Sequence, residues 1–311
     1  MTNAIQTQLT SLRLRIASSA LSLLAACGGV DRSASGLAEG EAPNESATNP
    51  SIPGGSVSSS DPWNIQYTAP AGFALKGEQG TLSILTSDQQ GGFLVVQRSV
   101  FRSSQEALTA VQGFLTASGL SAFAATPENK TIAGLSAVTF ASDGYTRDGQ
   151  TLRVRYIGLL SSFGTGLSIL AAGYPQDFAR FEQAAQALAE TVRIGQPTIN
   201  QQVVAALAGT WIYWAGRSSP GTSVTAGSSS SYEERISFDG ASKFRFARES
   251  SVSVSVPQAG GAGGASADSL QGDYTVIGSD LVLLSSQGPY VVRMQLSQGA
   301  IVVDGKTYAR Q

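Results

Sequence analysis

The chain has 311 residues, no histidine and one cysteine, and its 20 basic and 22 acidic residues leave a net charge of −2. A slightly acidic chain whose lysines are Lys76, Lys130, Lys243 and Lys306 carries no general footprint for nucleic acid. Without histidine or a second thiol, Ser-His-Asp and Cys-His catalysis are excluded, as are imidazole- and thiolate-bound zinc sites.

The first apolar run lies near the N-terminus. Arg13 and Arg15 stand in a stretch without Asp or Glu, and Ile16 to Ala26 are eleven residues of Ile, Ala, Ser and Leu. A helix that spans a bilayer takes about 20 apolar residues. The run is shorter than that, and residues 1–26 read as a secretory signal. The last of them with the cysteine, Leu24-Ala25-Ala26-Cys27, resemble a bacterial lipobox. The resemblance implies cleavage before Cys27 and a lipid anchor on its sulfur. It also accounts for the odd thiol, because an alkylated sulfur forms no disulfide. Gly28, in the next position, fits sorting to the outer membrane facing the periplasm.

Residues 27–61 are dominated by Gly, Ser, Pro, Asn, Ala and acidic side chains, with isolated apolar residues. That composition is a disordered tether, not a domain. Its root-mean-square reach is roughly 30–35 Å for a flexible coil.

Residues 62–195 carry mixed signals. "TLSILT" and "FLVVQRSVF" are rich in β-branched and aromatic residues. Ser103 and Ser104, with Glu106 in the first turn, open a helix whose Leu108, Val111 and Leu115 recur at helical spacing. "SAVTFAS", "TLRVRYIGLL" and "GLSILAAGY" follow as strands, and Asp143-Gly144 and Asp148-Gly149 read as the turn between the first two. Pro175 opens a second helix with Phe178, Phe181, Ala185, Leu188 and Val192 as its apolar stripe. The order β-β-β-α-β-β-β-α, opening on "YTAPAGF" (Tyr67 to Phe73), resembles the PsbP-like group, which includes DcrB-like periplasmic lipoproteins. The fold expectation is α+β, an antiparallel sheet with packed helices. The group supplies no catalytic motif to carry over.

Residues 196–206 read as a linker, and residues 207–311 as strands at hairpin spacing. Two low-complexity loops interrupt them, "RSSPGTSVTAGSSSS" and "PQAGGAGGASADS". Gly209-Thr210-Trp211 resembles the G-x-W of lipocalin-like barrels, where the Trp plugs the closed end and a late Arg packs over it. Arg310 stands where that partner is expected, so the second domain is expected to be a small antiparallel lipocalin-like β-barrel.

Trp211, Tyr213, Trp214 and Arg310 are the candidate ligand-binding residues of that barrel. Trp211 and Tyr213 share one strand face and Trp214 takes the other. The rings either line a cavity for an apolar ligand or fill the interior. Lys243-Phe244-Arg245-Phe246 alternates base and ring, which fits a strand with rings inside and charges in water as well as a basic binding face. Adjacent Glu233 and Glu234 point to opposite faces, so that strand alone makes no acid–base pair of them. Gly260 to Gly264 reads as a loop without the strand-to-helix setting of a phosphate cradle.

Together these features give a non-catalytic envelope lipoprotein, without metal or cofactor, that binds a partner or acts as a scaffold. A carrier of a small hydrophobic ligand or lipid in the barrel is the alternative, and it requires a cavity of roughly 300 Å³ or more. The expected partners are the membrane through the acyl anchor, an envelope protein or a small hydrophobic molecule, and no nucleic acid.

Overall fold

A computed structural model describes residues 61–88, 91–117, 121–122, 126–145, 149–219, 227–256 and 260–311. Cys27 and Asp148 lie outside the described residues, as do the signal and the tether up to residue 60. The chain builds a two-sided sheet and a closed barrel.

The first half begins with β1 (Ile65–Gln66), β2 (Phe73–Gln79), β3 (Leu82–Ser87), β4 (Gly92–Val100) and α1 (Ser104–Ala117). It continues with β5 (Ser121–Ala122), β6 (Glu128–Ile132), β7 (Leu135–Tyr145), β8 (Thr151–Leu160), β9 (Thr165–Gly173), α2 (Phe178–Thr191) and β10 (Arg193–Ile194). Its main sheet runs β2-β3-β4-β9-β8-β7-β5 with β6 on β7, antiparallel throughout. Successive side chains of a strand face opposite ways, so a strand covered on both sides is apolar without alternation. In β4, Leu94 and Val96 join the cluster under α2, while Phe93 and Val95 join the cluster under α1. Phe181, Ala185 and Leu188 are fully buried from α2. Burying a large apolar side chain contributes about 1.5–3 kcal/mol. That outweighs the helix-propensity differences of under ~1 kcal/mol per residue, so the stripe fixes where α2 lies. Ser103 caps α1 by accepting from the Glu106 N–H at 3.2 Å, and the Glu106 carboxylate accepts from the Arg102 N–H at 2.8 Å.

The barrel follows α3 (Gln201–Ala206) and runs as a meander. Its strands are β11 (Gly209–Ser219), β12 (Gly227–Phe238), β13 (Lys243–Val256), β14 (Gly260–Ile277), β15 (Asp280–Ser285), β16 (Gly288–Ser297), β17 (Ala300–Val303) and β18 (Lys306–Arg310). It closes where β11 pairs with β18, Trp211 opposite Arg310. Phe244 of β13 is buried while Lys243 and Arg245 are exposed, so the alternating base and ring follow the pleat.

The two halves share a core. Ile277 and Val282 of the barrel belong to the cluster built on α2 and the main sheet. The Thr198 N–H donates to the Pro62 carbonyl and the Asn200 N–H to the Val276 carbonyl, each at 2.8 Å. At the turn between β14 and β15, Gly278 has φ +62° and a Cβ there would meet Pro62 Cγ at 2.5 Å. Only glycine suits both the backbone and the contact.

Three readings of the sequence change. Residues 201–206 form a helix with Val204 buried in the barrel core, where a linker was expected. Its cap is Asn200, whose side chain accepts from the Val203 N–H at 3.2 Å. Asp143 is not in a turn: it lies within β7, and its carboxylate accepts from Arg153 Nε of β8 at 3.0 Å. Gly260 to Gly264 form the start of β14, in register with Val252 to Val256 of β13. The glycine-rich backbone that made this segment look like a loop instead pairs with the backbone of β13 in an extended ladder.

Candidate functional site

The barrel is packed shut at one end and hollow toward the other. At the closed end Trp211 is 1% exposed. Its indole N–H donates to the Leu207 carbonyl at 2.8 Å, and the Arg310 guanidinium lies 5.4 Å from its ring centroid. Arg310 also donates to the Ala208 carbonyl at 2.6 Å, and the Tyr274 hydroxyl donates to Val204 of α3 at 3.1 Å. Gly209 begins β11 at φ +122°, a conformation side chains rarely adopt, which is the physical reason for glycine two residues before this Trp.

Toward the other end a cavity of about 140 Å³ remains. One wall is apolar, made of Phe244 and Phe246 of β13, Leu270 of β14, Leu283 of β15 and Tyr290 of β16. The facing wall is polar. There Glu234 of β12, 3% exposed, accepts from Lys306 Nζ at 2.8 and 2.9 Å and from the Tyr308 hydroxyl at 2.6 Å. The Tyr232 hydroxyl donates to the same carboxylate. Burial, and then the neighbouring Glu234 charge, hold the Tyr232 and Tyr308 phenols well above the ordinary tyrosine range, so both stay protonated donors. Lys306 also sits 5.3 Å from the Tyr213 ring and 5.2 Å from the Tyr232 ring, inside cation–π range. Arg248 lines the cavity, with its guanidinium 4.8 Å over Tyr232.

The carboxylate already accepts four hydrogen bonds from Lys306, Tyr232 and Tyr308, which occupies the lone pairs a general base would use. The arrangement is therefore suited to presenting a matched polar wall to a bound molecule. Among the described residues no group of acidic, cysteine or histidine side chains could hold a metal ion, and no helix is long and apolar enough to cross a membrane.

None of the four residues singled out from the sequence lines this cavity. Trp211 and Arg310 are brought together at the closed end. Tyr213 packs against Tyr232 and Tyr308 behind the polar wall, with ring centroids at 6.2 and 5.7 Å. Trp214 points outward and is 65% exposed. The sequence reading weighed Glu234 only with Glu233 as an acid–base pair and did not single out Lys306, Tyr232 or Tyr308 as site residues. The available signal was the period-two frame of β12, which sets Tyr232 and Glu234 on the face of the apolar Ile236 and Phe238.

No protein-family model and no curated protein matches the chain. Among solved structures it is similar to a protein of unknown function from Pseudomonas aeruginosa, PA94, at 17% identity and a TM-score of 0.30 over 43% of this chain and 92% of that one. It is also similar to the cyanobacterial PsbP (CyanoP) of Synechocystis, at 12% identity and a TM-score of 0.34 over 49% of this chain and 98% of that one. The architecture is defined by its own strand order: a sheet with a helix on each face, docked on a closed eight-stranded antiparallel barrel.

Proposed function

We propose that the protein is a non-catalytic binding lipoprotein of the bacterial envelope, acylated at Cys27 and held at the outer membrane facing the periplasm. Its barrel takes the apolar part of a small molecule at the open end. The observation that carries this reading is the division of the cavity into an apolar wall and a charge-matched polar wall. A ligand that lays its apolar body on Phe246, Leu270 and Leu283 and turns a polar group toward Lys306 and Arg248 satisfies both walls. A cavity of about 150 Å³ holds a molecule the size of benzene, so the 140 Å³ here suits a ring or a short chain with the rest of the ligand outside. That favours capture of part of a ligand over full enclosure as in a carrier. The α/β half, which resembles PsbP-like domains in element order, serves in this reading as the face offered to an envelope protein partner.

Native mass spectrometry of the full chain released from detergent, with an organic extract of the same sample, tests the reading. A stoichiometric small-molecule adduct is expected, and Leu283→Trp, which fills the cavity, should abolish it. A clean apo mass in the unaltered protein would leave the barrel without a ligand and turn the search to a protein partner.

A further inference from the structure

The outer face of the long β11–β14 ribbon carries a second arrangement that the cavity does not use. Trp214 is in register with Glu233, Glu233 with Glu249 and Glu249 with Ala267, so the four side chains form one row across four strands. The next row on the same face is Gly216, Ser231, Ser251 and Ala265. Between the rows lies an open groove of about 340 Å³.

A Cβ at Gly216 would lie 2.6 Å from the Cη2 and Cζ2 atoms of Trp214. The indole therefore occupies the place a side chain at 216 would take, lying along its own strand. A large aromatic surface that is 65% exposed is thus held down against the sheet, and the missing side chain at 216 is what permits it. Beside the ring the floor stays low, because Ala265 and Ala267 are small. It is hydroxyl-rich: Ser231 and Ser251 share a hydrogen bond at 2.7 Å, as do Ser229 and Ser253. Two carboxylates border it. Glu233 lines the groove and is bonded to Arg235 at 2.8 Å through one of its oxygens, and Glu249, also in the lining, is exposed.

An aromatic plate flanked by carboxylates and hydroxyls on a flat sheet meets the two faces of a pyranose ring. The C–H face of the sugar covers the indole, and its hydroxyls donate to Glu233 and Glu249 in charge-assisted bonds, with the serines as further partners. Among the described residues no lysine or arginine lines the groove, and the neighbouring Arg235 is already paired with Glu233, which disfavours phosphate-bearing ligands such as nucleic acid. The carboxylates likewise oppose an anionic lipid surface. We propose that the outer face of β11–β14 around Trp214 is a binding site for an oligosaccharide of uncharged or amino-bearing pyranose units, separate from the barrel cavity.

Tryptophan emission of the full chain tests this directly. Trp63 and Trp211 are each 1% exposed, so the solvent-sensitive part of the emission belongs to Trp214. Titration with tri-N-acetylchitotriose and with cellotriose at millimolar concentrations should give a saturable blue shift and protection from acrylamide quenching with at least one of them. The response should vanish in Trp214→Ala. It should weaken about tenfold in Gly216→Val, which keeps the indole but displaces it, in line with the loss on removing an aromatic stacking contact. Glu249→Gln, a surface change, should weaken it several-fold without altering the circular dichroism spectrum. No response to either trisaccharide overturns the proposal, as does a response that survives in Trp214→Ala. A shift produced only by phosphatidylglycerol vesicles would overturn it in favour of a membrane-facing role for Trp214.

Discussion

The indole N–H of Trp63 donates to the carboxylate of Asp280 at 2.8 Å, joining the α/β half to the barrel. Trp63 is 1% and Asp280 3% exposed, and Asp280 also accepts from Arg293 Nε at 3.1 Å. Asp280→Ala leaves a buried indole N–H without its acceptor, which costs about 1–3 kcal/mol. A lower urea midpoint followed by circular dichroism is expected. An unchanged midpoint would mean that the seam contributes nothing to the cooperativity of the fold.

Breaking a buried ion pair by removing one partner destabilises by about 3–5 kcal/mol. Lys306 keeps a quarter of its side chain in solvent, which places Glu234→Ala at the low end of that range. The double variant Glu234→Leu with Lys306→Met should recover much of the loss, because it removes both charges together. A double variant no more stable than the single one would show that Tyr232 and Tyr308, not Lys306, hold the carboxylate.

Alkali should act on the tyrosines. Tyr67, Tyr156, Tyr232, Tyr274 and Tyr308 are all pushed above the ordinary phenol range, with burial the largest cause in each. A phenol raised in the folded state contributes stability that is fully present below its unfolded pKa of about 10. That contribution is lost as pH rises through the folded value. Stability should therefore fall above pH ~10, and ultraviolet titration should show late phenols that ionise only as the fold is lost. Tyr308→Phe should remove one of them. A titration in which all nine tyrosines ionise together near the ordinary value would contradict the burial described here.

Gly278 and Gly305 separate backbone strain from domain contact. Both have positive φ, +62° and +71°, but a Cβ at 305 meets nothing within 4 Å while one at 278 meets Pro62. Gly305→Ala should cost about 1–2 kcal/mol from the left-handed backbone alone. Gly278→Ala should cost about 1–3 kcal/mol more, since the seam must open to admit the methyl group. Equal midpoints for the two variants in thermal unfolding would argue that the halves are loosely docked.

The sequence made the elements legible wherever one physical signal dominated. The stripe from Phe178 to Leu188 located α2, and of the two readings offered for Lys243 to Phe246 the strand with rings inside and charges in water agrees with the buried Phe244. The Gly209–Trp211 spacing together with Arg310 anticipated residues that do meet at one end of the barrel. Legibility failed where composition and geometry point different ways. A glycine- and serine-rich run reads as a loop, yet residues 260–264 pair with β13, because a neighbouring strand supplies the hydrogen bonds that small side chains cannot. The cavity wall was hidden for another reason: Glu234 and Lys306 lie 72 residues apart and meet only because the barrel closes. The outward Trp214 was legible from its alternation with Trp211 and Tyr213, but the groove beside it was not, since that depends on the register that brings Glu249 and Ala267 into its row.

The seam between the halves also decides how a pull would be felt. Asp61 is paired with Arg98 of β4 at 3.4 Å, Pro62 abuts Gly278 of the barrel, and Trp63 is fastened to Asp280. Tension arriving along the chain from the N-terminal side therefore reaches both halves within three residues. A pull from that side is therefore shared between the two halves from the outset, and neither transmits it to the other through its own strands first.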